Sequence, residues 1–140
     1  KLWVVLKKLV PDNNKILEIS HIKGYNFYEL NKNPNYKNIH FKDKNLRSAI
    51  LKSDIIILHS LLTLRSLDYS EFKKIFNLCT SFKKKIILYE KNSESLDFSN
   101  KKLYPRKKIC DYLKSLYIKY KSYKVPGIKD NKRNILFEIN

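Results

Sequence analysis

The densest group of chemistry-bearing residues is KKLYPRKK, residues 101–108, which holds five cations: Lys101, Lys102, Arg106, Lys107 and Lys108. Pro105 suits the first turn of a helix, because its missing N–H would have no intrahelical partner there. A helix start carries a partial positive charge and free N–H groups. Cations placed at that end do not help the helix, and an anionic partner would offset them. Lys114, Lys121 and Lys124 flank an aromatic stripe on the same predicted helix, and Lys129, Lys132 and Arg133 follow it. Cations interleaved with rings such as Tyr104 and Tyr123 can hold phosphates while the rings stack on unpaired bases. Tyr112 and Tyr120 lie mid-stripe and read as core. Lys83, Lys84 and Lys85 join a helix end to a strand. The helix dipole alone favours cations there, and phosphate contact is the second reading.

Three histidines, His21, His40 and His59, are scattered. His59 ends the apolar run DIIILH, and ligand sites of open α/β sheets collect at the carboxyl ends of strands. Asp54 and Ser60 complete no triad with it, and no nucleophile elbow is present. No pair of carboxylates stands at a recognisable catalytic spacing. Cys79 and Cys110 sit 31 residues apart, with no C-x-x-C and no Cys/His cluster. They read as two free thiols rather than zinc ligands. No catalytic residue and no metal site is expected on these grounds.

Composition narrows the partner. The chain has 140 residues and a formal net charge of +17, which sets up a positive potential over much of a small domain. Lysine outnumbers arginine 26 to 4, a sign of A/T-rich codon usage, but codon bias does not explain the shortage of acids. Residues 101–140 hold 12 Lys/Arg against 3 Asp/Glu. Nucleic acid is therefore the expected partner. Only Gly24 and Gly127 are present, where average usage would supply about ten. Neither G-x-G-x-x-G nor G-x-x-x-x-G-K-[ST] can be written, so no cofactor bound through a glycine-rich turn is expected. No apolar run approaches the length of a membrane helix. The chain begins with Lys and contains no Met, as a mature form without its targeting segment, or an excised fragment, would.

The elements that must position these residues follow from periodicity. Residues 2–6 and 15–19 read as short strands around the turn PDNN. Residues 24–41 look irregular, and 44–52 suit a short helix with Asp43 as N-cap. Residues 54–59 read as a strand buried on both faces. Phe72, Ile75, Phe76, Cys79 and Phe82 recur on one face of a helix over 69–81, with Asp68 and Glu71 at capping-box spacing. Residues 83–90 form another strand, and 91–103 a polar loop. A helix is expected from Pro105 to about Tyr123, then the turn VPGIKDN and a final strand at 134–139. The alternation predicts one α/β domain over residues 1–140, a mainly parallel sheet flanked by helices.

The stretch SDIIILHS through LRSLDYSEFKKIF to KKKIILYEKN resembles the ribosomal stalk-base protein of the large subunit. That family has an Arg–small–Leu turn entering a helix and a strand ending in Lys-Asn, here Arg65-Ser66-Leu67 and Lys91-Asn92. The resemblance implies that Arg65, Lys91 and Asn92 lie near rRNA. DIIILHS and the late VPGIKDNKRNILF are also similar to the N-terminal half of two-domain glycosyltransferases, which would imply an enzyme fragment. The short interval between KILEIS and DIIILH argues against a methyltransferase.

Taken together, these features predict a non-catalytic RNA-binding component of a large ribonucleoprotein particle, of the mitochondrial-ribosome type, with rRNA and neighbouring proteins as partners. The expected compartment is the organellar matrix, or the cytoplasm if no targeting segment was removed. The alternatives are a Rossmann-like enzyme domain and a protein–protein scaffold.

Overall fold

The computed structural model describes residues 2–20, 28–59, 61, 69–91, 95–96, 102–103, 105–124 and 134–140. Six strands form one sheet: β1 (Ile16–Ser20), β2 (Tyr36–His40), β3 (Ile55–His59), β4 (Lys85–Lys91), β7 (Tyr120–Ser122) and β8 (Asn134–Ile139), in the order β2-β1-β3-β4-β8-β7. The first four are parallel, and β8 is antiparallel to both neighbours. β5 (Ser95–Leu96) and β6 (Lys102–Leu103) pair apart from it, inside the stretch expected to be loop. The architecture is the predicted α/β layered domain.

Two apolar layers hold the sheet. On one face Ile56, Leu58, Ile86, Leu88 and Phe137 meet α2 (Leu46–Leu51), α3 (Tyr69–Ser81) and α4 (Pro105–Ser115). On the other, Ile16, Ile55, Ile57 and Ile87 meet α1 (Leu2–Leu9). Ile56 and Ile57 are fully buried on opposite faces. This is why DIIILH shows no alternation: a parallel strand covered by helices on both sides has no solvent face.

Three expectations need correction. Residues 2–9 are helix, not strand: Leu6, Leu9 and Val10 turn inward while Val4, Lys7 and Lys8 face solvent. A five-residue apolar run suits either state, and packing against the sheet decides it. The stretch 24–41 contains a 3-10 turn (Tyr28–Lys32) and β2, an edge strand whose Lys37 and Asn38 hid its strand character. Asp43 is not the N-cap. Its Oδ1 accepts from the Asn45 N–H at 2.8 Å, and Asn45 occupies the cap position without a side-chain bond.

The helix from Pro105 also ends earlier than expected, at Ser115, so Tyr120 and Tyr123 are not on it. Tyr117 takes a left-handed φ of 56°. Its N–H donates to the Lys114 carbonyl and the Ile118 N–H to the Leu113 carbonyl, a Schellman closure. α3 ends the same way, with Lys83 at φ 55° and the Lys84 N–H donating to the Cys79 carbonyl. Glycine is the usual residue for this conformation. A chain with two glycines closes both helices without one, at about 1–2 kcal/mol each.

Candidate functional site

Leaving β1, the chain builds β2 on one side of it and β3 on the other. In open α/β sheets such a reversal marks the place, beyond the carboxyl ends of the two central strands, where ligands bind. Here those ends are Ser20 and His59, which face each other in register, with His40 of β2 on the far side of Ser20. In-register residues of parallel strands project from the same face, so three hydrogen-bonding side chains line up across three strand ends.

Beneath them sits a buried acid–base pair. Glu18 is fully buried, one pleat before Ser20. Its Oε2 lies 2.6 Å from His59 Nδ1, and its Oε1 accepts from the Tyr36 hydroxyl at 2.6 Å. Asn38 Nδ2 donates to the Ser20 hydroxyl at 3.0 Å and to the Glu18 carbonyl at 3.2 Å. The Tyr89 ring meets the His59 ring edge-on at 5.5 Å. A carboxylate on Nδ1 fixes that nitrogen as the donor and leaves Nε2 as the one that takes or gives a proton. Strand alternation causes the arrangement. In ILEIS, Leu17 and Ile19 enter the helix-covered core while Glu18 and Ser20 turn to the other face. A Glu inside an apolar strand was the signal available in the sequence; sequence reasoning found His59 and missed its partners Glu18 and Tyr36.

Among the described residues, the predicted phosphate-contacting side chains are spread over several elements. At the opposite edge of the sheet, Lys84 Nζ donates to the Leu51 carbonyl and Lys85 Nζ to the Leu9 carbonyl, each at 2.9 Å. Lys85 also pairs with Glu138 at 3.0 Å. The Tyr123 hydroxyl donates to the same carboxylate at 3.0 Å. Burial alone would raise the Glu138 carboxyl. The bonds from Lys85 and Tyr123, with the charges of Lys85 and Lys121, outweigh it and hold the group below its ordinary value. Lys83, Lys114, Lys121 and Lys124 are exposed. Arg106 leans over the Phe137 ring at 5.8 Å, whereas Lys107 and Lys108 are exposed on the first turn of α4. Lys102 stands on β6, and Lys91, of the stalk-base comparison, on β4. Lys101, Tyr104, Lys129, Lys132 and Arg133 lie outside the described residues, as do Arg65, Asn92, Asp68 and His21.

A cavity of about 530 Å³, lined by Trp3, Lys7, Asp12, Glu29, Leu30 and Lys32 among others, sits where the chain enters β1 and β2, away from the carboxyl ends of β1 and β3. Among the described residues no three or more His, Cys, Asp or Glu side chains group as a metal site. No described helix is long and apolar enough to cross a membrane.

Neither a family model nor a curated protein matches the sequence. Among solved structures, the chain is similar to the methyltransferase domain of bacterial CtHen1-CN, with a TM-score of 0.60 and 10% identity over 99% of this chain and 95% of that one. The fold is therefore a Rossmann-like α/β domain. This corrects the expectation of a non-catalytic ribosomal component. The fold neighbour is a methyltransferase domain, and that likeness fits the Rossmann-like alternative better than the ribosomal reading. The short interval between β1 and β3 does not prevent this fold. β2 is only five residues long and α2 six, so residues 20–55 suffice to leave β1, build an edge strand and return.

Proposed function

We propose that this chain is a Rossmann-like enzyme domain of methyltransferase type, with its active site in the crevice between β1 and β3. The observation that carries the reading is the buried Glu18–His59 pair at the topological switch point. A buried carboxylate and imidazole are costly to place in a core without a role, and this position is where α/β domains hold ligands. The likeness to a methyltransferase domain supports the choice of reaction.

Methyl transfer needs a donor such as the sulfonium nucleoside S-adenosylmethionine, which supplies the methyl group. The polar groups of such a donor fit a floor of Ser20, His40 and His59 better than an apolar ligand would. No glycine-rich turn is available to hold it, since Gly24 stands alone in that part of the sequence. Side chains at the strand ends take over that task. Glu18 orients His59, and the imidazole Nε2 accepts the proton released as the acceptor's nucleophile gains its methyl group.

The test is calorimetric titration of the whole chain with S-adenosylmethionine, together with backbone NMR. Saturable binding, displaced by the demethylated product, with shifts centred on Ser20, His40 and His59, is the expected result. Absence of saturable binding at millimolar donor, or shifts centred on the distant cavity at Trp3 and Glu29, overturns the reading.

A further inference from the structure

We propose that the acceptor substrate is a nucleic acid whose phosphodiester backbone is held by Lys73, Lys107 and Lys108 on the surface shared by α3 and α4. The inference rests on the enzyme reading only for the word substrate; the binding surface is argued independently of it.

α3 and α4 lie side by side. The Tyr69 hydroxyl donates to the Lys108 carbonyl at 3.1 Å, and the Tyr112 hydroxyl donates to Asn77. Lys73 Nζ, from α3, stands 4.8 Å from the Tyr69 ring centroid and 5.8 Å from that of Tyr112. Lys108 Nζ, from α4, stands 5.1 Å from the same Tyr69 ring. Two ammonium groups from different helices thus converge on one ring, within about 10 Å of each other, and Lys107 is exposed beside them. Neither Lys73 nor Lys108 enters an ion pair among the described residues. The acids on these two helices are Glu71 and Asp111, one on each.

This cluster differs from the cations at the opposite edge of the sheet. Lys84 and Lys85 are committed to carbonyls and to a carboxylate inside the domain. Lys73 and Lys108 each hold Nζ over the Tyr69 ring and enter no ion pair among the described residues, and an ammonium already positioned loses less entropy when it grips an anion. Chain direction places the cluster. α3 follows the carboxyl end of β3, and α4 follows that of β4 through residues 92–104, so both helices start on the edge that carries the crevice. The net charge of +17 supplies the long-range attraction that brings a polyanion there.

The experiment is fluorescence anisotropy of the whole chain with labelled 20-nucleotide single-stranded RNA and DNA across a salt series. Two triple variants are compared, each removing three cations: Lys73→Ala/Lys107→Ala/Lys108→Ala, and a control on the far side of the sheet and its edge, Lys7→Ala/Lys8→Ala/Lys37→Ala. The first is expected to weaken binding at least tenfold and to reduce the slope of log K against log salt by about 2, since each lost contact to a single strand contributes about 0.7. The control is expected to change affinity less than threefold. Equal losses in the two variants, or no binding by the parent chain, overturn the proposal. If the first variant melts early, photocrosslinking of the parent chain to RNA decides: adducts within 69–81 and 105–115 support it, and adducts elsewhere overturn it. Donor binding without nucleic-acid binding removes this inference alone. Nucleic-acid binding at this surface without donor binding removes the enzyme reading and leaves the surface standing.

Discussion

Removing one partner of the Glu18–His59 pair should cost more stability than removing both. Glu18 is fully buried and His59 is 5% exposed. The Glu18 carboxylate serves two donors, His59 Nδ1 and the Tyr36 hydroxyl, both at 2.6 Å. Glu18→Leu removes the carboxylate that both the buried His59 ring and the Tyr36 hydroxyl meet. His59→Leu leaves a buried carboxylate facing an apolar side chain where the imidazole stood, with the Tyr36 hydroxyl still donating to it. Breaking a buried pair by removing one member costs about 3–5 kcal/mol, and each stranded neutral group about 1–3 kcal/mol. Replacing both members with apolar residues of similar volume leaves no uncompensated charge, and such replacements are often close to neutral. Tyr36 is only half-buried and can turn to water.

The double variant Glu18→Leu/His59→Leu should therefore be more stable than the sum of the two single losses implies by at least about 3–5 kcal/mol, the cost of one single variant. For a chain of this size, 1 kcal/mol moves Tm by about 3–5 °C, so each single variant should melt roughly 10–20 °C below the parent. The assay is urea unfolding of the four proteins at one pH, read as a double-mutant cycle. Additive losses, or singles that each cost under about 1 kcal/mol, would refute the claim that the two side chains form one buried unit. The catalytic proposal would then lose its positioning element.

Three further outcomes follow from the same physics. Tyr117→Gly and Lys83→Gly should each stabilise the chain by about 0.5–1 kcal/mol, the relief of a left-handed residue less the entropy of glycine; both residues are exposed, and thermal melting with Tyr117→Ala as the control that gains nothing checks it. Burial pushes the Cys79 thiol up to about 12, while Cys110 is half-buried beside the Tyr120 hydroxyl at 3.2 Å. A maleimide at pH 8 should thus label Cys110 in the folded chain and Cys79 only after unfolding, as peptide mass mapping would show. The Glu138 carboxyl is held below its ordinary value of 4.5, so the folded state binds its proton less readily than the unfolded chain does. The stability it contributes is present above that value and is lost as pH falls through the lower folded one. Urea midpoints of the parent and of Glu138→Gln should converge below pH 4, and a constant difference down to pH 2 would contradict the assignment.

The core was legible wherever a pattern had one physical reading. DIIILH, with three β-branched residues in a row, reads as a strand covered on both faces, and the Phe72–Ile75–Phe76–Cys79 spacing as one face of a helix over 69–81. The pattern was ambiguous where length or polarity blurred it. LWVVL is too short to separate helix from strand, and YKNIH is an edge strand with few neighbours to satisfy. The end of α4 was invisible because the residue that closes it, Tyr117, carries none of glycine's conformational signature.

The site follows the same division. Sequence alone determined that the chain folds as a layered α/β domain, that it carries a large positive charge, and that no glycine-rich phosphate loop exists. It also marked His59 as a residue at a strand end. Only the tertiary structure decided that Glu18, 41 residues earlier, meets His59. It decided too that Lys73 and Lys108 share one ring, while Lys84 and Lys85 are consumed inside the fold. The reason is physical. Periodicity reports which face a side chain takes on its own element. Strand order and register, set by how the whole sheet packs, decide which elements lie next to each other and therefore which side chains can act together.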